Sequence, residues 1–113
     1  MKEVKMNFGE LAENIDLEED EFMELVKLFV ETTAADLNKL QAAIGEKNLK
    51  EVIEVAHSIK GASGNLGLQE MYELAKGIEM NARKNSLNGA WEALKSLKEK
   101  FFQIENDLKS ISN

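Results

Sequence analysis

Apolar residues recur every three or four positions along most of this chain, a spacing that predicts amphipathic α-helices. The earliest such stretch runs from Asn7 to Asn14 and predicts a short leading helix. Its apolar positions are Phe8, Leu11 and Ile15. We expect this helix to lie across one end of whatever the longer helices build.

A long second helix follows, for which Asp16 is the predicted N-cap because acidic residues come next, where the helix dipole favours them. One face of this helix is predicted to be buried. That face carries Phe22, Leu25, Val26, Phe29, Thr33, Leu37, Leu40 and Ile44. Gly45 to Asn48 closes the helix, with glycine in a terminating role.

Three further helices are predicted by the same periodicity. The third begins near Leu49 and ends at Gly67, with Val52, Ile53, Ala56, Ile59 and Leu66 facing inward. The fourth carries Leu68, Met71, Tyr72, Ala75, Ile78 and Ala82. A turn at Asn85–Gly89 follows, in which Ser86 or Asn88 can cap. The last helix presents Trp91, Leu94, Leu97, Phe101, Ile104, Leu108 and Ile111.

Four long amphipathic helices joined by short loops must bury their apolar faces against one another. The predicted fold is therefore all-α, an antiparallel up-down four-helix bundle with a short additional N-terminal helix. At 113 residues the chain has room for one core, so residues 1–113 are expected to form a single domain. The absence of proline is consistent with long helices.

Composition and charge exclude several classes of function. The formal net charge is −7 and no basic stripe is present, so a nucleic-acid partner is not expected. With no cysteine there is neither a disulfide framework nor a thiol nucleophile. The first residues lack a secretory signal, and every apolar run is too short to span a membrane. We expect a cytoplasmic, soluble protein that is monomeric.

The segment from Ala56 to Gly67 holds the candidate chemistry. At about 100° per residue, His57, Lys60, Gly61 and Gly64 share roughly a third of the helix circumference. This arc lies beside the apolar face, so His57, which is the only histidine in the chain, is predicted to be at the surface.

Each residue type on this arc has a chemical reason to be there. A neutral imidazole is a nucleophile near pH 7, and a lysine one turn away can stabilise the oxygens of a phosphoryl group. Glycine inside a helix costs about 1 kcal/mol relative to alanine. Gly61 and Gly64 are therefore expected to provide steric access, letting a partner close over His57.

The stretch His57-Ser58-Ile59-Lys60-Gly61-Ala62-Ser63 resembles the His-x-x-Lys-Gly-x-Ser/Ala signature of the histidine-containing phosphotransfer (HPt) family of two-component signalling, and Gly67 extends the match. The resemblance covers essentially the whole chain. It implies that His57 accepts a phosphoryl group on Nε2 from a receiver-domain aspartyl phosphate or from a sensor histidine kinase. The group then passes to an aspartate of another response-regulator receiver.

The resemblance also implies the roles of other residues. Lys60 would stabilise the phosphoryl charge, Gly61 would give access, and Glu79 would accept a hydrogen bond from His57 Nδ1 and so orient the ring. Many family members have glutamine at the position of Glu79, whereas chemotaxis kinases have glutamate. The chain itself would need no cofactor, since the receiver brings Mg²⁺. It would be a phosphocarrier and not an enzyme.

Other interpretations stay open at this point. The same bundle could be an interaction or scaffold module without phosphoryl chemistry. A histidine-kinase catalytic domain does not fit in the remaining length. Glu54 and His57 have the Glu-x-x-His spacing of di-iron bundles, but a second such pair is missing, so no metal site is predicted. If receivers dock, we expect Leu11, Ile15 and Leu68 to form the apolar surface that they contact.

Overall fold

Five helices account for the regular structure that the computed structural model describes, which covers residues 7–112 and the side chains of residues 7–110. The helices are α1 (Phe8–Asn14), α2 (Glu19–Gly45), α3 (Leu49–Asn65), α4 (Gln69–Arg83) and α5 (Ala90–Ser112). Predicted and observed helices agree in number and order. None of the helices in this range is both long and apolar enough to cross a membrane.

Helices α2 to α5 pack as a ring of four. Helix α2 contacts α3, α3 contacts α4, α4 contacts α5, and α5 returns to α2. The connections between successive helices span only residues 46–48, 66–68 and 84–89, so each helix must reverse direction relative to the one before it. This is the expected antiparallel up-down bundle.

The short helix α1 packs on α2. The rings of Phe8 and Phe22 lie with their centroids 6.1 Å apart, and both side chains are buried. Because Phe22 lies in the first turn of α2, this contact places α1 at the end of the bundle where α2 begins. The predicted short leading helix is therefore present at one end of the bundle, where it packs on α2.

The first four helices all end in the same way. One residue adopts a left-handed backbone conformation, and the N–H group of the next residue donates a hydrogen bond to a carbonyl in the last turn of the helix. The left-handed residues are Asp16, Lys47, Gly67 and Asn85. The hydrogen bonds run from the N–H groups of Leu17, Asn48, Leu68 and Ser86 to the carbonyls of Ala12, Ala43, Ser63 and Asn81. These turns set the reversals that let the bundle close.

This pattern corrects two details predicted from the sequence. Asp16 is not the N-cap of α2, because its φ of 60° belongs to the turn that ends α1. Glu18 takes that place, and its backbone N–H donates to Glu21 Oε1 at 3.0 Å. Gly45 is the last residue of α2, but the left-handed residue that terminates the helix is Lys47.

Two residues assigned to the buried faces are exposed. Leu25 on α2 and Trp91 on α5 expose 42% and 52% of their surface, whereas the other described residues predicted for those two faces are buried. A periodic pattern gives the direction of an apolar face but not its width. Both residues lie at the edge of the face, where the neighbouring helix covers only part of the side chain. Ile111, also assigned to a buried face, lies outside the described side chains.

Candidate functional site

His57 lies in the middle of α3, on the side that faces away from the core. Helix α3 begins at Leu49, and Asn48 caps it by accepting the Glu51 N–H at 3.2 Å. The neighbours Ala56 and Ile59 are completely buried, which fixes the rotation of the helix. The His57 side chain is consequently 61% exposed.

Glu79 is a buried carboxylate that α4 brings to His57. It lies between Ile78 and Ala82 on the buried face of α4, and only 4% of its side chain is exposed. Its Oε2 is 3.1 Å from His57 Nδ1. A carboxylate in its ionised form can only accept a hydrogen bond. His57 Nδ1 therefore carries the ring proton and donates the hydrogen bond to Glu79. In the neutral ring this leaves the lone pair on Nε2.

Two cationic side chains share the same carboxylate. Lys60 Nζ lies 2.9 Å from Glu79 Oε1, and Arg83 donates to Glu79 Oε2 from Nε at 3.0 Å and from Nη2 at 2.7 Å. The Lys60 side chain is 24% exposed and that of Arg83 is 57% exposed, so both cations reach the carboxylate from the solvent side. Glu79 is thus the centre of a polar cluster that joins α3 to α4.

The cluster keeps Glu79 ionised. Burial by itself raises the pKa of this carboxyl, but hydrogen bonds from Lys60, Arg83 and His57 and the charge of Lys60 outweigh it and lower the pKa to about 2. At neutral pH the group next to His57 Nδ1 therefore carries a full negative charge. Such a charge favours the positive charge that develops on an imidazole ring when Nε2 acts as a nucleophile.

Comparison with known proteins decides the family. The family model described as Hpt domain matches residues 24–113. The chain belongs to the Hpt domain family. The crystal structure of histidine-containing phosphotransfer protein B from Pseudomonas aeruginosa PAO1 is similar, with 26% sequence identity and a TM-score of 0.81. The similarity covers 96% of this chain and 95% of that one. No curated protein sequence gives a significant match.

Hpt domains are phosphocarriers of phosphorelays, which agrees with the interpretation of the sequence as a carrier. Of the site residues predicted in this Hpt domain, the structure brings His57, Lys60 and Glu79 into one cluster. The Lys60 ammonium contacts Glu79 in this arrangement. The catalytic roles assigned to all three residues stay predictions.

The two glycines of the predicted site differ in their surroundings. A Cβ added to Gly61 would meet nothing within 4 Å, so this position is open, as steric access requires. A Cβ added to Gly64 would lie 3.1 Å from Tyr72 Cδ1. Gly64 thus lets the Tyr72 ring pack against α3, which is a structural reason for glycine at this position besides the predicted access to His57.

Sequence reasoning missed Arg83. Its position four residues after Glu79 is the signal that could have found it, because residues at this spacing lie on the same face of a helix. In the sequence the pair looks like an ordinary surface ion pair. Only the fold shows that the carboxylate is buried and is shared with His57 and Lys60.

The apolar surface beside the site also differs from expectation. Leu68 is buried and Leu11 and Ile15 are half-buried, so these three side chains present little surface to a partner. Leu25 and Leu28 are exposed instead and line a groove between α2 and α3 whose α3 wall includes Ala62 and Asn65. Asn65 lies about two turns after His57 along α3 and roughly 80° further round the helix, so this groove begins beyond the histidine toward the end of α3.

No group of three or more histidine, cysteine, aspartate or glutamate side chains within the described part of the chain is arranged to hold a metal ion. Glu54 is exposed on α3 and takes no part in the Glu79 cluster. The cluster combines an exposed imidazole with a buried carboxylate and two cationic side chains.

Proposed function

We propose that this Hpt domain relays phosphoryl groups through a phosphohistidine on His57. The observation that carries the proposal is the contact between the exposed His57 ring and the buried, ionised Glu79 carboxylate. This contact fixes the proton on Nδ1 and leaves Nε2 as the nucleophile in a ring that a partner can reach. Receiver domains and a sensor histidine kinase are the proposed partners, and the cytoplasm is the proposed compartment.

The transfer step needs little from the domain beyond positioning and charge. The Nε2 lone pair of His57 forms a bond to the phosphorus of a receiver's aspartyl phosphate, and the bond between phosphorus and the aspartate oxygen breaks. The receiver regains its carboxylate and supplies Mg²⁺. The His57 ring keeps its Nδ1 proton, and Glu79 offsets the positive charge of the phosphorylated imidazolium. The reverse step passes the group to the next receiver.

Lys60 is the proposed partner of the phosphoryl oxygens. In the unphosphorylated domain it contacts Glu79, but Arg83 and His57 hold the same carboxylate. The Lys60 ammonium can therefore turn toward a phosphoryl group on His57 without leaving Glu79 as a buried charge that lacks a partner. Lysine suits this role because its four-carbon side chain is flexible.

The groove with Leu25 and Leu28 is the proposed docking surface for receivers. Both leucines are exposed, and the groove that they line includes Ala62 and Asn65 of α3, in the two turns that follow His57. Gly61, one turn after His57, adds no side chain in this region. A receiver that covers this apolar surface brings its active site over the His57 ring.

The test uses a small donor that needs no partner. Phosphoramidate is incubated with the purified chain and with the His57→Gln variant, and phosphorus NMR follows the product. We expect an acid-labile Nε2-phosphohistidine signal in the wild type and none in the variant, whose helix content by circular dichroism stays unchanged. Absence of the signal in the folded wild type would contradict the proposal and favour an interaction module without phosphoryl chemistry.

A second variant separates the nucleophile from the adjacent charge. Lys60→Ala keeps His57 and removes one ammonium, so it should slow phosphoryl acceptance several-fold without abolishing it. Equal rates in Lys60→Ala and the wild type would show that this charge does not act on the phosphoryl group.

A further inference from the structure

One strip of α5 is unlike the solvated side of an ordinary amphipathic helix. Trp91, Lys95, Lys98 and Phe102 follow one another at intervals of four, three and four residues and so share one side of the helix. Trp91 exposes 52% of its surface and Phe102 exposes 53%. Both rings line one groove, and exposed apolar surface that is continuous marks interaction sites on soluble proteins.

The strip forms one wall of a groove between α5 and α2. The groove has a volume of about 480 Å³ and is lined by the strip, Leu94, Glu99 and Gln41 of α2. The far edge of the Trp91 ring lies over Gly45 at the end of α2, where a side chain would come within 3.8 Å of it. Lys98 donates to the side-chain oxygen of Gln41, so the two lining residues link α5 to α2.

This groove and the His57 site lie on opposite sides of the molecule. In the ring of four helices, α3 and α4 form one side and α2 and α5 form the other. His57 and Glu79 bridge α3 to α4, and the groove lies between α2 and α5. A partner seated in the groove therefore leaves His57 free for a receiver.

The charges of the groove favour one kind of occupant. Lys95 and Lys98 outnumber Glu99 among the lining side chains, in a chain whose net charge is −7. A second copy of the chain does not fit well, since an antiparallel pairing of two α5 helices that sets Trp91 against Phe102 also sets Lys95 against Lys98. Such like-charge contacts destabilise an interface. A partner with carboxylates would pair with these lysines.

We propose that the groove between α2 and α5 binds an acidic amphipathic helix of another protein. Its apolar side chains would cover Trp91 and Phe102, which are separated by about 16 Å along α5, a span of three helical turns. Its carboxylates would face Lys95 and Lys98. The proposal does not depend on phosphoryl transfer, because it uses no residue of the His57 cluster.

The test uses a designed peptide and the fluorescence of Trp91, which is the only tryptophan in the chain. The peptide is an 18-residue helix with leucines at positions i, i+3, i+4 and i+7 and glutamates beside them. We expect saturable binding with a blue shift of the Trp91 emission, since the bound helix removes water from the indole. Lys95→Glu should weaken binding about tenfold or more, and added salt should weaken it as well.

Matched controls isolate the groove. Lys50→Glu on α3 makes the same change in net charge at an exposed site away from the groove and should bind like the wild type. A peptide with lysines in place of the glutamates should bind at least tenfold more weakly. No blue shift, equal binding of both peptides, or equal weakening by Lys50→Glu and Lys95→Glu would overturn the proposal.

Sedimentation of the free chain tests whether a second copy of the chain fills the groove. A dimer that Trp91→Ala dissociates would show that a second copy fills the groove, which overturns the proposal.

Labelling of Trp91→Ala by phosphoramidate should match that of the wild type. The two functions can therefore fail separately, because loss of peptide binding leaves the phosphohistidine signal unchanged.

Discussion

The two sides of this bundle differ in how far their side chains are paired or covered within the chain. At the junction of α3 and α4, a buried Glu79 carboxylate is matched by His57, Lys60 and Arg83, so every charge has a partner within the chain. At the junction of α2 and α5, Trp91 and Phe102 leave about half of their surface in water. The polar groups of the first side are paired within the chain, whereas the second side leaves apolar surface in water, whose burial by a bound molecule would be favourable.

This difference matches what each side is proposed to do. A phosphoacceptor must keep its nucleophile in one protonation state between encounters with partners, which requires charges fixed within the domain. A docking groove gains its affinity from surface that stays in water until the partner arrives. The comparison predicts that mutations at the first side change stability and its pH dependence, while those at the second side change binding.

Among variants of the His57 cluster, the largest effect on stability is expected from Glu79→Gln. A pKa held at about 2 instead of 4.5 stabilises the folded domain at neutral pH by on the order of 3 kcal/mol. Screening at the solvent-accessible Lys60 and Arg83 reduces the expected loss in the variant to about 2 kcal/mol. Denaturant unfolding at pH 7 measures the loss.

The pH dependence of stability tests whether Glu79 is ionised in the folded domain. Because the folded-state pKa lies below the unfolded one, the stabilisation is fully present above pH 4.5 and disappears as the pH falls toward 2. The wild type and Glu79→Gln should therefore converge in stability between these values. Glu54→Gln, at an exposed site on α3, should change stability by less than about 0.5 kcal/mol. A constant difference from pH 7 to pH 2 would contradict the ionised state of Glu79.

The fold could be predicted from the sequence because the signals that specify it are local. The spacing of Phe22, Val26 and Phe29 gives a helix and its inner face without knowledge of any neighbour. Leu25 and Trp91 were assigned wrongly since the width of a buried face depends on how the next helix lies against it. The αL positions of Asp16 and Lys47 were missed because a left-handed residue other than glycine leaves a weak signal.

The candidate site was only partly predictable for a related reason. His57 and Lys60 lie within one turn, so their proximity follows from helix geometry. Glu79 is 22 residues away from His57, and only the family resemblance pointed to it. Arg83 contacts Glu79 within α4 at a spacing of four residues, but only the packing of α3 against α4 shows that this carboxylate is buried and shared with His57 and Lys60.

A smaller effect distinguishes the two glycines of α3. Gly61→Ala adds a methyl group in open space and should stabilise the domain by about 0.5–1 kcal/mol through helix propensity. In Gly64→Ala the new Cβ must displace the Tyr72 ring by a few tenths of an ångström. The cost of this displacement should largely offset the stabilisation that alanine gives through helix propensity. Thermal unfolding of the two variants side by side checks the order.

The same variants test the access proposed for Gly61. Phosphoramidate is small, so it should label Gly61→Ala at the wild-type rate. A receiver must close over α3, and its transfer to Gly61→Ala should be slowed several-fold. Equal receiver-mediated rates in the wild type and Gly61→Ala would contradict the role in access that is proposed for Gly61.

A small effect on stability is expected at the groove. Phe102→Gln replaces a half-exposed ring, whose edge-on contact with Phe101 has a centroid separation of 5.8 Å, by a better helix former. The expected loss is about 0.5 kcal/mol, whereas Phe101→Ala, at the buried neighbouring position, should cost about 3–5 kcal/mol. Phe102→Gln should nevertheless weaken binding of the acidic peptide about tenfold. A stability loss comparable to that of Phe101→Ala would mean that Phe102 is covered within the folded chain, and the contrast between the two sides of the bundle would then disappear.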